Sequence, residues 1–455
     1  MVYKSLLLMF FIACTVMACK KDKVFPIEGE IVPVLPAGDN CTIYDETSYA
    51  FSYKVKGLSS DQNLNFFVGN SFFNQNWVES PSSTTARDGL GPILNAASCS
   101  SCHFRDGRGA PYSGQGLLMR LSEAGNAPDP IYGSQFQDHG ISTALQEGDI
   151  EIIYSYLSGQ MDDGTSYSLR SPNYNLVNLN YGGVSPALMM SPRVGGQMIG
   201  LGLLEIISES DILAHADEFD SDGDGISGRA NYAFDVYNNT IMLGRFGWKA
   251  NTPTLATQVA AAFNGDVGIK SSYFPNENHT SAQSLLNGLP DGGVIEIEDE
   301  DLEKVILYCR TLGVPIRRNQ LDENVIAGER LFNAISCTKC HVDSYTTGIT
   351  GSIQPLKNVL IRPYTDLLLH DMGNDLADNR PDQLANGKEW RTPPLWGLGL
   401  IETVNGHTYL LHDGRAESIE EAILWHGGEG ASSRDLYKML TQDERRQVLD
   451  FLNSL

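Results

Sequence analysis

The sequence predicts a mainly α protein of two similar domains, the first enlarged by large insertions that include a β-hairpin. Three observations predict it. "GLGLLE" at 200–205 returns as "GLGLIE" at 397–402. "CSSCH" at 99–103 returns as "CTKCH" at 337–341. "DLEKVILYCRTL" (301–312) has the amphipathic pattern of "ERRQVLDFLNSL" (444–455), with Leu452 in the place of Cys309. Each trio keeps the same order, so the chain carries one unit twice.

The 455 residues suffice for two or three domains with real cores. Apolar content of 42% and charged content of 19% fit a folded protein. A net charge of −24 argues against nucleic acid and anionic membrane surfaces as partners.

The N-terminus reads as an export signal over 1–18. Lys4 supplies the positive start, and "LLLMFFIACTVMA" is too short to span a bilayer. It ends in Val16-Met17-Ala18-Cys19, which resembles a bacterial lipobox; the resemblance implies cleavage before Cys19 and lipidation of its sulfur. Residues 19–48 then form a tether. The expected location is outside the cytoplasm, as a membrane-anchored lipoprotein of the periplasm or outer membrane.

C-x-x-C-H is the attachment frame of c-type haem. Two thiols add to the two vinyl groups of one porphyrin, and the adjacent histidine offers a ring nitrogen to the iron. Cys99, Cys102 and His103 form one frame; Cys337, Cys340 and His341 form the other. A four-cysteine zinc site would leave both histidines unexplained. Two covalent haems are therefore expected, in two cytochrome c-like haem domains over 49–320 and 321–455. Cys309 reads as a core residue, and a Cys41–Cys309 disulfide is an open possibility.

The second copy is compact. The first follows its order with insertions, of which "GDIEIIYSYLSGQMDDGTSYSLRSPNYNLVNL" alternates as a β-hairpin does, between 145 and 190. Aligning 253–263 with 417–427 without gaps sets Gln258 against Ala422 and Ala262 against His426. Positions i and i+4 share a helix face. With His426 as sixth ligand, the second iron is fully ligated, while the first has a methyl group in that place and an amide one turn earlier. Full ligation suits electron transfer; a free position suits activation of a small oxidant. His412, Asp413, Arg415 and Arg391 read as a propionate and structural network.

"DGLGPILNAASCSSCHFRDGRG", "MIGLGLLE", "DGDGISGRAN", "GRFGWKANTPTL" and "WRTPPLWGLGLIE" resemble the di-haem oxidoreductase family, described as "putative" peroxidases or thiol oxidoreductases. The frames with "YLLHDGRAESIEEAILWH" resemble, more distantly, the bacterial dihaem cytochrome c peroxidases. In those peroxidases a methionine ligand lies fourteen residues after the histidine of the His-Asp-Gly motif; here that position is His426. The resemblance implies a Gln and a Glu over the open haem. Gln258 matches the first, and Asp266 lies nearest the second, two residues early. It also implies an inter-haem aromatic residue, for which Phe246 and Trp248 are the candidates.

"DSDGDGISGRAN" (220–231) has the D-x-D-x-D-G spacing of a calcium loop, with Asp220, Asp222 and Asp224 as ligands. The expected function is a peroxidase-like dihaem oxidoreductase in which electrons enter at the second haem and an oxidant such as peroxide is reduced at the first. The donor is a small cytochrome, a cupredoxin or a quinol. A non-catalytic dihaem electron carrier and an oxidase of a thiol or protein substrate are the alternatives.

Overall fold

The computed structural model describes residues 34–455; the signal, Cys19 and the start of the tether lie outside the described residues. The helices that position the site are Ser60–Asn74 (α1), Leu255–Ala262 (α2), Asp299–Thr311 (α3), Glu323–Ala334 (α4), Ile419–Leu424 (α5) and Gln442–Ser454 (α6). The strands of interest are Leu117–Ser122 (β1), Gln135–Phe136 (β2), Asp149–Gln160 (β3), Ser166–Val177 (β4) and Met189–Val194 (β5).

The repeat is carried by two helix pairs. α1 packs on α3, and α4 on α6. α1 and α6 each begin with a capping box, Ser59 with Gln62 and Thr441 with Glu444, which satisfies two orphan donors reciprocally. Both crossings are glycine contacts. A Cβ on Gly69 would lie 2.1 Å from the Lys304 carbonyl, and one on Gly328 would lie 1.8 Å from that of Gln447.

The repeated Gly-Leu-Gly-Leu stretch has the same explanation. A Cβ on Gly202 would meet the Arg310 carbonyl at 2.1 Å; one on Gly399 would meet that of Asn453 at 2.0 Å. In each copy this stretch presses its backbone onto the closing helix, so only glycine fits.

Strand content departs from the expectation. The structure is 30% helix and 18% strand, with many small sheets, so the mainly α reading is corrected and no cytochrome c fold is shown. The insertions of the first copy supply most of the strand, and two small sheets, Tyr345–Thr346 with Leu360–Ile361 and Leu369–Asp371 with Glu389–Arg391, lie in the second. β1 buries Leu117, Met119 and Leu121 on alternate positions, a period of two that the surrounding glycines and prolines obscure. β1 pairs antiparallel with β2 on one side and β5 on the other. The hairpin expected between 145 and 190 is present, as β3 and β4 in register from Asp149–Val177 to Gln160–Ser166.

That hairpin reaches the second copy. Met161 at its tip joins the apolar cluster of Phe332, Tyr364 and Phe451. Arg170 donates to the carbonyls of Gly414 (2.7 Å) and Arg415 (3.0 Å), and its backbone N–H donates to Glu421. Cys41 and Cys309 are free buried thiols in separate apolar clusters, so no disulfide joins them. Residues 34–455 form one compact unit. No described helix is long and apolar enough to cross a membrane.

Candidate haem sites

Each frame is anchored through its histidine. His103 Nδ1 lies 2.7 Å from the Gly196 carbonyl, and His341 Nδ1 lies 2.9 Å from that of Tyr364. A carbonyl only accepts, so Nδ1 carries the proton in both and Nε2 keeps a free lone pair. The surroundings match too: Phe73 packs against His103 and Phe332 against His341, on equivalent helices. Burial pushes the His341 imidazole down to about 4, against the pull of the Tyr364 carbonyl, and His426 nearby lowers it further. Neutral imidazole is the form that ligates metal.

The thiols are not those of a redox pair. Burial raises Cys99 and Cys337 to about 12, whereas reactive C-x-x-C thiols are depressed. Among the described residues the two frames do not converge into a four-cysteine cluster.

Both frames open on one cavity of ≈ 680 Å³, bordered by residues from both copies. Its walls carry six arginines, Arg108, Arg120, Arg193, Arg245, Arg391 and Arg434, against the carboxylates Asp266, Asp382 and Glu429. Burial pushes Arg108, Arg120 and Arg391 down to about 10, which still leaves them charged at neutral pH. A cationic cavity inside a chain of net charge −24 fits an anionic occupant. Two haems would bring four propionates, and the chain offers the arginines, two frames and two histidines with free Nε2, so these residues fit the group.

α2 and α5 face the cavity in equivalent ways. Thr254 caps α2 by accepting from Thr257 N–H, and Ser418 caps α5 by accepting from Glu421 N–H. These pairs are the ones the gapless alignment superposes. His426 follows α5 and borders the cavity, its Nδ1 donating to the Ala422 carbonyl at 2.7 Å, so Nε2 is again free. Gln258 and Ala262 border the same cavity from α2. α2 then widens into a π-helical turn, Phe263–Val267, which carries Asp266. Asp266 is half-buried because its carboxylate opens on the cavity. Burial raises it to about 6, against the Gln135 hydrogen bond and the Arg120 charge.

Phe246 and Trp248 both border the cavity. Phe246 belongs to an apolar cluster spanning both copies. Trp248 Nε1 donates to the Val194 carbonyl (2.8 Å), and Arg108 stacks over its ring at 5.1 Å. His412 stacks on Trp390 with ring centroids 3.7 Å apart. Burial opposes charge on Asp413, yet His412 and Arg415 hold it down to about 2.

The aspartate loop is arranged differently from its spacing. Asp220 and Asp222 converge with Asp217, their carboxylate oxygens within 4.8 Å of one another. Asp224 instead pairs with Lys339, inside the second frame. Asn231, at the twelfth position, is buried and donates to the Lys249 and Asp382 carbonyls. "DEFDSD" contains Asp217, but three residues upstream of the spacing that defines the motif.

Sequence reading missed several site residues. Arg120 and Gln135 come from inserted strands with no counterpart in the second copy. His370 is clamped by Asp366 and Glu429, each at 2.7 Å, with the Cys340 sulfur at 3.6 Å. Its only sequence signal is "HD", which is too common to single out.

The family model described as "di-haem oxidoreductase, putative peroxidase" matches residues 32–115 and 176–455. The chain belongs to this family. The match takes in both frames, α2, α5 and the aspartate loop, and omits 116–175, where this di-haem oxidoreductase carries β1, β2, β3 and most of β4. Comparisons with curated proteins and with solved structures returned no match. The family makes the protein an enzyme, a haem-dependent oxidoreductase.

Proposed function

We propose that this di-haem oxidoreductase is an exported, lipid-anchored peroxidase whose two irons are unlike. The observation that carries the reading is His426, just after α5, facing the cavity where α2 presents Ala262. Cys99, Cys102 and His103 would hold the first haem, and Cys337, Cys340, His341 and His426 the second. The haems would supply the redox chemistry, with electron entry expected at the second, from a small cytochrome, cupredoxin or quinol, and reduction of peroxide at the first.

The chain's own residues do the rest. Ala262 leaves space beside Gln258 for a small oxidant, and the Gln258 amide orients it. Asp266 moves a proton between the two peroxide oxygens. Trp248, pinned by Val194 and Arg108, is favoured over Phe246 as the aromatic residue between the haems. Asp217, Asp220 and Asp222 supply a calcium site whose role is structural; loss of melting temperature on adding EGTA supports it, and an unchanged melt with no bound metal sinks it.

Low-temperature electron paramagnetic resonance of the holoprotein tests the reading. One high-spin and one low-spin haem are expected, both surviving acid–acetone extraction. His426→Ala should turn the low-spin signal high-spin and leave the other unchanged. Two low-spin haems with no peroxide turnover would instead make the protein an electron carrier.

A further inference from the structure

The segment 116–175 lies outside the family match, yet it reaches the first haem's side of the cavity. β1 brings Arg120 and β2 brings Gln135, and both side chains border the cavity beside Asp266. Gln135 is 7% exposed. Its Nε2 lies 2.8 Å from Asp266 Oδ1, 3.0 Å from the Gly265 carbonyl and 2.8 Å from Asn95 Oδ1. Its Oε1 accepts from Arg120 Nη1 at 2.8 Å. Gln137, on the same insertion, also donates to the Gly265 carbonyl, at 2.8 Å. The backbone of Asp266 is held as well, its carbonyl accepting from Asn95 and Ala96 N–H.

The inserted strands therefore grip the π-helical turn and fix one oxygen of its carboxylate. Oδ2, which has no protein partner among the described residues, is left to the cavity. Arg120 has no carboxylate partner of its own among the described residues, and its Nε is unpaired. Its charge reaches Asp266 through the Gln135 amide, which is polarised from guanidinium to carboxylate.

We propose that Gln135 is a positioning residue for Asp266 and that, with Arg120, it makes Asp266 Oδ2 the proton carrier of the first haem's pocket. The proposal rests on the peroxidase reading for its chemistry. Peroxide reduction breaks one O–O bond, takes two electrons from the external donor by way of the haems and two protons from solvent, and yields two waters. Asp266 Oδ2 accepts the proton of the nearer oxygen and returns it to the farther one, which departs as water.

The charged and titratable groups facing Asp266 are Arg120 from β1 and the two frame cysteines, which thioether formation removes from titration. Asp138 lies beyond, bound to Asn95 at 2.9 Å and to the exposed ring of His139 at 3.1 Å.

Infrared difference titration of the holoprotein tests the proposal, with the Asp266 carboxyl band assigned by its loss in Asp266→Asn. Its midpoint should lie near 6 in the wild type. In Gln135→Leu it should rise by about one pH unit, the size of one hydrogen bond to a charged group. Arg120→Gln should raise it in the same direction, and Arg120→Lys, which keeps the charge, should not. The acidic limb of peroxide turnover should follow these midpoints. An unmoved band in Gln135→Leu with its haem spectrum intact overturns the proposal. Should that variant fail to load haem, equal midpoints in Arg120→Gln and Arg120→Lys overturn it. If the band moves as stated and the wild type does not turn over peroxide, positioning stands and the peroxidase reading falls.

Discussion

Glu147 is a carboxylate enclosed by protein, 1% exposed, accepting from Gln137 N–H and from Gln283 Nε2, both at 2.5 Å. Burial raises it to about 8, and the two donors only partly offset this. Its unfolded value is about 4.3. The folded state thus binds the proton more tightly. Its stabilising contribution is complete below the unfolded value and is lost as pH rises through about 8. Within that window the slope is at most about 1.4 kcal/mol per pH unit. Glu147→Gln should therefore gain on the wild type progressively from pH 5 to pH 8, as read by urea unfolding of the holoprotein. A constant difference across that range would show that Glu147 titrates normally. Residues of this kind are illegible in sequence, because a buried acid and a solvated one are written with the same letter. The frames were legible because their chemistry is local: two thiols and a ring within five residues. Asp224 shows the limit even of a local motif. Its spacing groups it with Asp220 and Asp222, but its carboxylate pairs with Lys339, more than a hundred residues away.

Among the elements, the helix pairs α1–α3 and α4–α6 show how far a repeat can be read. Cys309 and Leu452 align because both face the core of the helix that closes their copy, and Gly69 and Gly328 mark where each pair crosses. Gly328→Ala places a methyl group 1.8 Å from the Gln447 carbonyl if nothing moves. Backbone cannot rotate out of the way, so α4 and α6 have to separate. A loss of about 1–3 kcal/mol is expected, the range for overpacked interiors. Chemical denaturation against Gly288→Ala measures it, with the control chosen because a Cβ there meets nothing within 4 Å, although its backbone (φ 77°) makes that control mildly strained. Equal losses in the two variants would mean that the crossing tolerates the methyl group. The inserted strands were harder to read. The long hairpin announced itself through two alternating runs, whereas β1 and β2 are short, and the sheet order β2-β1-β5 pairs residues as far apart as Leu117 and Val194, 77 positions along the chain. Such pairing follows from tertiary closure rather than from any local pattern.

For the whole molecule, the cavity matters most. Its walls are drawn from four of the apolar clusters, including Val259, Phe332, Leu255 and Trp390, so no copy completes its interior without the other. Six guanidiniums face three carboxylates there, and without propionates their repulsion opposes closure. The chain made without haem maturation should accordingly bind a hydrophobic dye and melt over a broad range, while the loaded chain melts cooperatively. Sharp melting of the haem-free chain at a similar temperature would contradict this.

That wall arrangement also has a consequence for biogenesis. If the haems are attached covalently, each C-x-x-C-H segment has to be reachable while the bonds form, yet in the folded chain all four cysteines border a cavity walled by both copies. On the proposed covalent attachment, loading of each frame is expected before the two copies close on one another and before the hairpin tip at Met161 packs with Phe332. The hairpin lies between the two frames in the chain, so it is made before its docking surface exists. Its tip contact is therefore expected to close last, as a latch over a chain already loaded, and a half-loaded chain to keep its apolar faces open to proteolysis.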